Sequence, residues 1–202
     1  AIPGQIILAL VWESNYPTFL SKLKQPAKGI SLLFIMLLVG SVTALLSLYL
    51  VGGNITPPTP MLINFTILSV LITMWTVVAW QCWPMSAISS HPALIGIGTL
   101  LISYLVTYVI YITLFNFSFM VDAPFYSESI DPQGLLNSWT AITYFLTTVA
   151  VIDALILLDF WPVSLVQRRF NVLSIQPWAG LLNTAVILIV AFCIWYLFIK
   201  VF

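Results

Sequence analysis

The sequence predicts an all-α bundle that crosses a membrane, and three observations predict it. Hydrophobic residues fill 61% of the 202 positions and charged residues only 6%, against roughly 25% charged residues in soluble domains; mean hydropathy is +1.11. Five apolar stretches of about 22 residues each match the ~20 residues that carry a helix across a ~30 Å hydrocarbon core. Between them stand chain breakers: Gly52-Gly53-Asn54, Pro57-Pro58, Pro84, Pro92, Pro124, Pro132, Pro162 and Pro177. A water-soluble fold is excluded.

The chain opens on an apolar run, Ile6–Trp12, too short to cross and therefore read as a half-span or interfacial helix. Five full spans are expected over Ile30–Val51, Met61–Trp83, Ala93–Phe115, Asn137–Leu158 and Trp178–Ile199. Helix is the expected state because unpaired backbone is too costly in lipid, and the alternation of barrel strands is absent. Pro92 and Pro177 fall at helix starts, where a missing N–H costs nothing. Everything fits one transmembrane domain over residues 1–202. Ala1-Ile2-Pro3-Gly4-Gln5 lacks a basic leader, so no cleavable signal is expected, and an initiator Met is expected to have been removed ahead of Ala1. Cys82 and Cys193 fall at opposite ends of the bundle, so no disulfide between them is expected.

Six basic and six acidic side chains balance, which leaves no basic field for nucleic acid. The bases are unevenly placed. Lys22, Lys24 and Lys28 precede the first span and Arg168-Arg169 separate the last two, while segments 52–60 and 116–136 carry neither Lys nor Arg. The excess of basic residues marks the cytoplasmic side. The N-terminus is therefore expected inside and the C-terminus outside, in a plasma, inner or organellar membrane. A weak repeat runs through the same side: Trp12 with Pro26-Ala27-Lys28-Gly29, Trp83-Pro84 with Pro92 and Gly96, and Trp161-Pro162 with Pro177-Trp178-Ala179-Gly180. The Trp spacings are 71 and 78 residues. Read as duplication, the unit is a helix hairpin used three times in one orientation; Trp at interfaces and Pro or Gly at helix ends arise in any such protein as well.

Each span carries small or weakly polar residues at helical spacing. Gly40 and Ser47 in the first, Gly96 and Ser103 in the third, and Thr143 and Thr147 in the fourth are expected to pack helix on helix, since small residues permit close approach and hydroxyls bond across it; a hydroxyl-lined substrate path is the alternative. Tyr104, Tyr108 and Tyr111 form a stripe that suits core packing or contact with a pigment, quinone or lipid tail. Asp153 is the one acid well inside a span and is expected to avoid lipid, as an ion pair with Lys28, His91, Arg168 or Arg169 or a neutral, hydrogen-bonded acid, as a proton or cation site, or against another subunit. His91 stands near Cys82 and Met85, but one His cannot complete a soft metal site, so no metal is expected; one axial haem ligand remains open. The segment Asn116–Gly134, with four aromatics beside three acids, is expected to be an ordered outer loop.

No nucleophile elbow, phosphate loop, zinc-protease motif or dinucleotide fingerprint occurs. The expectation is a non-enzymatic, multi-pass subunit of a larger membrane complex, assembled with other chains or with copies of itself, its cofactor unspecified. The alternative is a small transporter or channel component with Asp153 in the path.

Overall fold

A computed structural model describes residues 1–201, with side chains through Ile199. A short helix, α1 (Ile2–Ile6), widens into a π turn at Ile7–Val11. Five long apolar helices follow: α2 (Ala27–Leu50), α3 (Pro60–Val78), α5 (Pro92–Leu114), α6 (Ser138–Leu157) and α8 (Trp178–Trp195), the last continued by a π turn over Tyr196–Val201. Two short helices, α4 (Met85–Ile88) and α7 (Val163–Arg169), lie in the connections α3–α5 and α6–α8. All five long helices have the length and apolarity to cross a membrane.

Helix starts are written in local chemistry. The Thr59 hydroxyl accepts from Leu62 N at α3, His91 Nδ1 from Ala93 N at α5, and Asn137 Oδ1 from Trp139 N at α6, each satisfying one orphan donor of the first turn. Helix ends depart from expectation once. The second span stops at Val78 rather than Trp83 because Gln81 and Cys82 turn left-handed (φ 50° and 61°), and Cys82 N folds back to Thr76 O at 3.0 Å. That closure takes up the carbonyls a longer helix would have used.

The core sits around α3, which packs on α1, α5 and α6, while α8 packs on α6. Phe65, Leu68, Ile72 and Trp75 on α3 meet Tyr111, Phe145, Ile152 and Ile187 in one buried cluster. α2 stands apart: none of its residues is buried. At the far end, Phe115–Asn116 and Leu136–Asn137 pair as two short parallel strands, β1 and β2, and clasp the loop between them.

Three hairpin connections at one end share detailed geometry. Glu13-Ser14, Gln81-Cys82 and Asp159-Phe160 are each a consecutive left-handed pair. Trp12 packs against Gly96, and Trp80 against Gly180, so tightly that a Cβ on either glycine would collide with the indole. Gln25 Oε1 accepts from Gly29 N just as Gln176 Oε1 accepts from Gly180 N. Four of the five buried residues of α5 (Gly96, Thr99, Ser103, Thr107) correspond to four of the five of α8 (Gly180, Asn183, Ile187, Ala191) when Gly96 is set on Gly180, Tyr111 and Ala179 being the exceptions.

Candidate functional site

The expected packing residues fall into two groups. On α5 the stripe is core: Ser103 is fully buried and its hydroxyl bonds that of Thr76 at 2.6 Å, while Gly96 receives Trp12, whose Nε1 also donates to Pro92 O at 2.7 Å. Gly40 meets Ala1 of the half-span. On α6 the stripe turns away from the core. Ala141, Phe145, Thr148, Ile152 and Leu155 are buried, whereas Thr143 and Thr147 lie at the margin and Ala150 and Ala154 are exposed. Thr143 and Thr147 donate back to Trp139 O and Thr143 O at 2.8 and 2.9 Å, and Thr143 accepts Trp195 Nε1 at 3.0 Å from α8. Ser47 likewise donates to Thr43 O.

Asp153 is exposed in the lone chain, so nothing within the chain supplies the shelter from lipid expected for it. Seen down α6 at 100° per residue, it falls roughly 100° or more from most of the buried stripe and shares a bare face with Leu146, Ala150 and Leu157. Among the described residues no Lys, Arg or His pairs with it: Lys28 Nζ reaches Asn15 Oδ1 instead, and His91 serves as the α5 cap with Tyr16 edge-on to its ring at 6.2 Å.

The tyrosine stripe divides. Tyr111 is buried, donates to Met61 O at 3.2 Å and meets Phe65 and Phe115 at 5.4 Å; it is core and closed to a ligand. Tyr104 and Tyr108 line a cavity of about 520 Å³ between α2 and α5. Tyr104 also lines an adjoining cavity of about 490 Å³ where the small residues Gly40, Thr43 and Ala44 face Thr66 and Ser69 of α3. The two form a lateral crevice of the size of ligand pockets. A third cavity, about 450 Å³, lies between α3, α5 and α8. Its polar groups bond one another: Trp75 Nε1 and Trp80 Nε1 both donate to Thr184 Oγ1 at 3.0 Å.

Sequence reading passed over two polar groups. Asn183 is buried on α8, donating to Ala79 O at 3.0 Å and accepting from Gln167. A lone amide in an apolar span is itself a signal, because it needs partners in a dry interior. Asp131 is the other, with Oδ1 accepting from Phe117 N and Gln133 N and Oδ2 from the Tyr126 hydroxyl. Burial, and then the Asp131 hydrogen bond, raise the Tyr126 phenol above its ordinary value. This knot orders the Asn116–Gly134 loop and packs Ile130 against Gly53. Burial also pushes the Cys82 thiol up, away from a nucleophile's requirements. Among the described residues no three His, Cys, Asp or Glu side chains group as metal ligands. Compared with known proteins, the chain matches no family model, no curated protein and no solved structure.

Proposed function

We propose that this chain is a non-enzymatic, multi-pass subunit of a larger membrane assembly, built as three parallel helix hairpins of which the first has a half-length leading helix. The observation that carries the reading is Asp153, a carboxylate on a membrane-length helix that faces outward in the lone chain. An intramembrane charge is costly against lipid and is ordinarily met by a partner. The unburied α2 supports the same conclusion, and the apolar and hydroxyl linings of the three cavities offer no paired acid and base for catalysis. In this reading the crevice at Tyr104 and Tyr108 contacts a lipid, quinone or pigment of the assembly. The basic connections face the cytoplasm: with Cys82 and Cys193 replaced by Ser, Ser127→Cys is expected to be labelled from outside, and Ser89→Cys only after permeabilisation. The reverse pattern overturns the orientation.

The decisive test is recovery from native membranes in mild detergent. Wild type is expected to bring stoichiometric neighbours, other chains or further copies, and Asp153→Asn to lose them several-fold while the fold persists, because a neighbour's cation is left uncompensated. Asp153 lines none of the three cavities; normal recovery with a specific loss of solute or proton movement would nevertheless move a transport path to first place.

A further inference from the structure

The hairpin correspondence places α6 on α3 residue by residue, and the two helices then differ on one face. Gln81-Cys82-Trp83-Pro84 matches Asp159-Phe160-Trp161-Pro162, including the two left-handed residues. In that register Leu68, Ile72, Trp75 and Ala79 of α3 correspond to Leu146, Ala150, Asp153 and Leu157 of α6. The α3 residues are 0, 3, 7 and 0% exposed. On α6, Leu146 and Leu157 are 47% and 87% exposed, and Ala150 and Asp153 are exposed with them.

α3 packs mainly on α5 and α6, but at its connection end the covering comes from the second helix of the following hairpin. Trp75 and Trp80 donate to Thr184, Ala79 O accepts from Asn183, and Trp80 seats on Gly180, all on α8. One hairpin earlier the step is the same: Trp12 seats on Gly96 of α5. Each leading helix thus receives the trailing helix of the next hairpin, and α6 has no such helix on it. The complementary surface is on α2. Setting Gly29 on Gly96 and Gly180 brings Leu32 and Met36 to the positions of Thr99 and Ser103 on α5 and of Asn183 and Ile187 on α8, yet neither is buried, while Gly40, the next position, is already met by Ala1 of the same chain. The two halves of one missing contact therefore lie on the same chain, at its two ends.

We infer that the bare face of α6 receives α2 of a second copy of this chain, head to tail, with Leu158 seated on the neighbour's Gly29 as Trp12 is on Gly96 and Trp80 on Gly180. Charge agrees with this register. Asp153 takes the place of Trp75 and so meets the level of the neighbour's Leu33, the counterpart of Thr184. The neighbour's Lys28 stands five residues, about 7.5 Å, further toward the edge, and a lysine stem reaches back that far while its head stays near water. A contact between different surfaces of identical chains propagates, closing into a ring or continuing as a filament.

The inference rests on the subunit reading and is tested apart from it by oxidative cross-linking in native membranes, with Cys82 and Cys193 replaced by Ser. Leu157→Cys combined with Leu32→Cys is expected to give a ladder of dimers, trimers and higher species. Each single variant, and Leu157→Cys combined with Leu45→Cys on the wrong face of α2, are expected to give at least ~10-fold less. Dimers from Leu157→Cys alone would show a face-to-face pair and overturn the proposal. A photo-crosslinking residue at the exposed position 157 provides a measurement that does not depend on the double variant folding. Capture of peptides from α2 of the same chain supports head-to-tail assembly. Capture of a different protein overturns it while leaving the subunit reading intact, and a monomer with no cross-linked neighbour overturns both.

Discussion

Helices α2 and α3 are both long, apolar and rich in small or hydroxyl residues, yet nine residues of α3 are buried and none of α2. The difference is not hydrophobicity. α3 presents large side chains, Phe65, Leu68, Ile72 and Trp75, on faces that α5, α6 and α8 cover, whereas α2 turns Gly40, Thr43 and Ala44 toward a crevice. Lipid tails are as apolar as leucine, so burial inside a membrane bundle reports shape and hydrogen bonding rather than flight from water. A helix that finds neither stays at the margin.

The largest expected effect breaks the contrast directly. Phe65→Ala removes a ring held between Tyr104 and Tyr111 and should lower stability by about 3 kcal/mol, the low end of the range for core aromatics because lipid replaces the transfer part of the cost. Leu46→Ala on α2 should leave the Tm of the isolated chain in detergent where it was. Equal losses would mean α2 is packed as tightly as α3. Next comes Gly96→Leu, which must displace Trp12 and should cost about 1–3 kcal/mol. By contrast Ala150→Leu, on the bare face of α6, should be neutral for the isolated chain and, under the proposed assembly, reduce only the recovery of neighbours. A matching drop in Tm for both would return Ala150 to an internal contact.

The smallest effect lies outside the bundle. Tyr126 is held in its neutral, donating form, above the ordinary tyrosine value of about 10. Its contribution to the outer loop is therefore complete below about pH 10 and is lost as pH rises through the elevated value. Phenolate absorbance of wild type minus Tyr126→Phe should show a transition above the ordinary one, shifted down by Asp131→Asn. A transition at the ordinary position in both would dissolve the knot.

The apolar spans were legible because length and composition alone decide them, and their limits moved by only a few residues, except where Gln81-Cys82 end α3 early. Faces were legible on α5 and illegible on α6, for a reason visible in the hydroxyls. Thr143 and Thr147 donate to carbonyls of their own helix, as the buried Ser103 and Thr107 do on α5, so a hydroxyl stripe is self-satisfied in either surroundings and does not by itself mark a face. Glycine is different. Gly96 and Gly180 are each matched to one indole, Trp12 and Trp80; the Trp–Pro–Gly repeat in the sequence pointed to these glycines but paired them with Trp83 and Trp161, which do not make the contact. Asp153 could be noticed but not oriented, since its surroundings depend on which helices the chain leaves uncovered.

The clasp formed by β1 and β2 also has a practical side. With the Phe115–Asn116 and Leu136–Asn137 ends held together and Asp131 fastening the interior, the segment between them behaves as a compact Ω-loop whose closure does not depend on its tip. Asp122 and Pro124 at that tip are exposed. Lengthening a loop raises its closure entropy only slowly, about 0.6 kcal/mol per doubling, and exposed tips are where inserted sequence is best tolerated. An affinity tag or a small fluorescent domain spliced between these residues is expected to leave the helix contacts untouched, giving a handle on the protein that leaves the residues at both ends of this sequence unaltered.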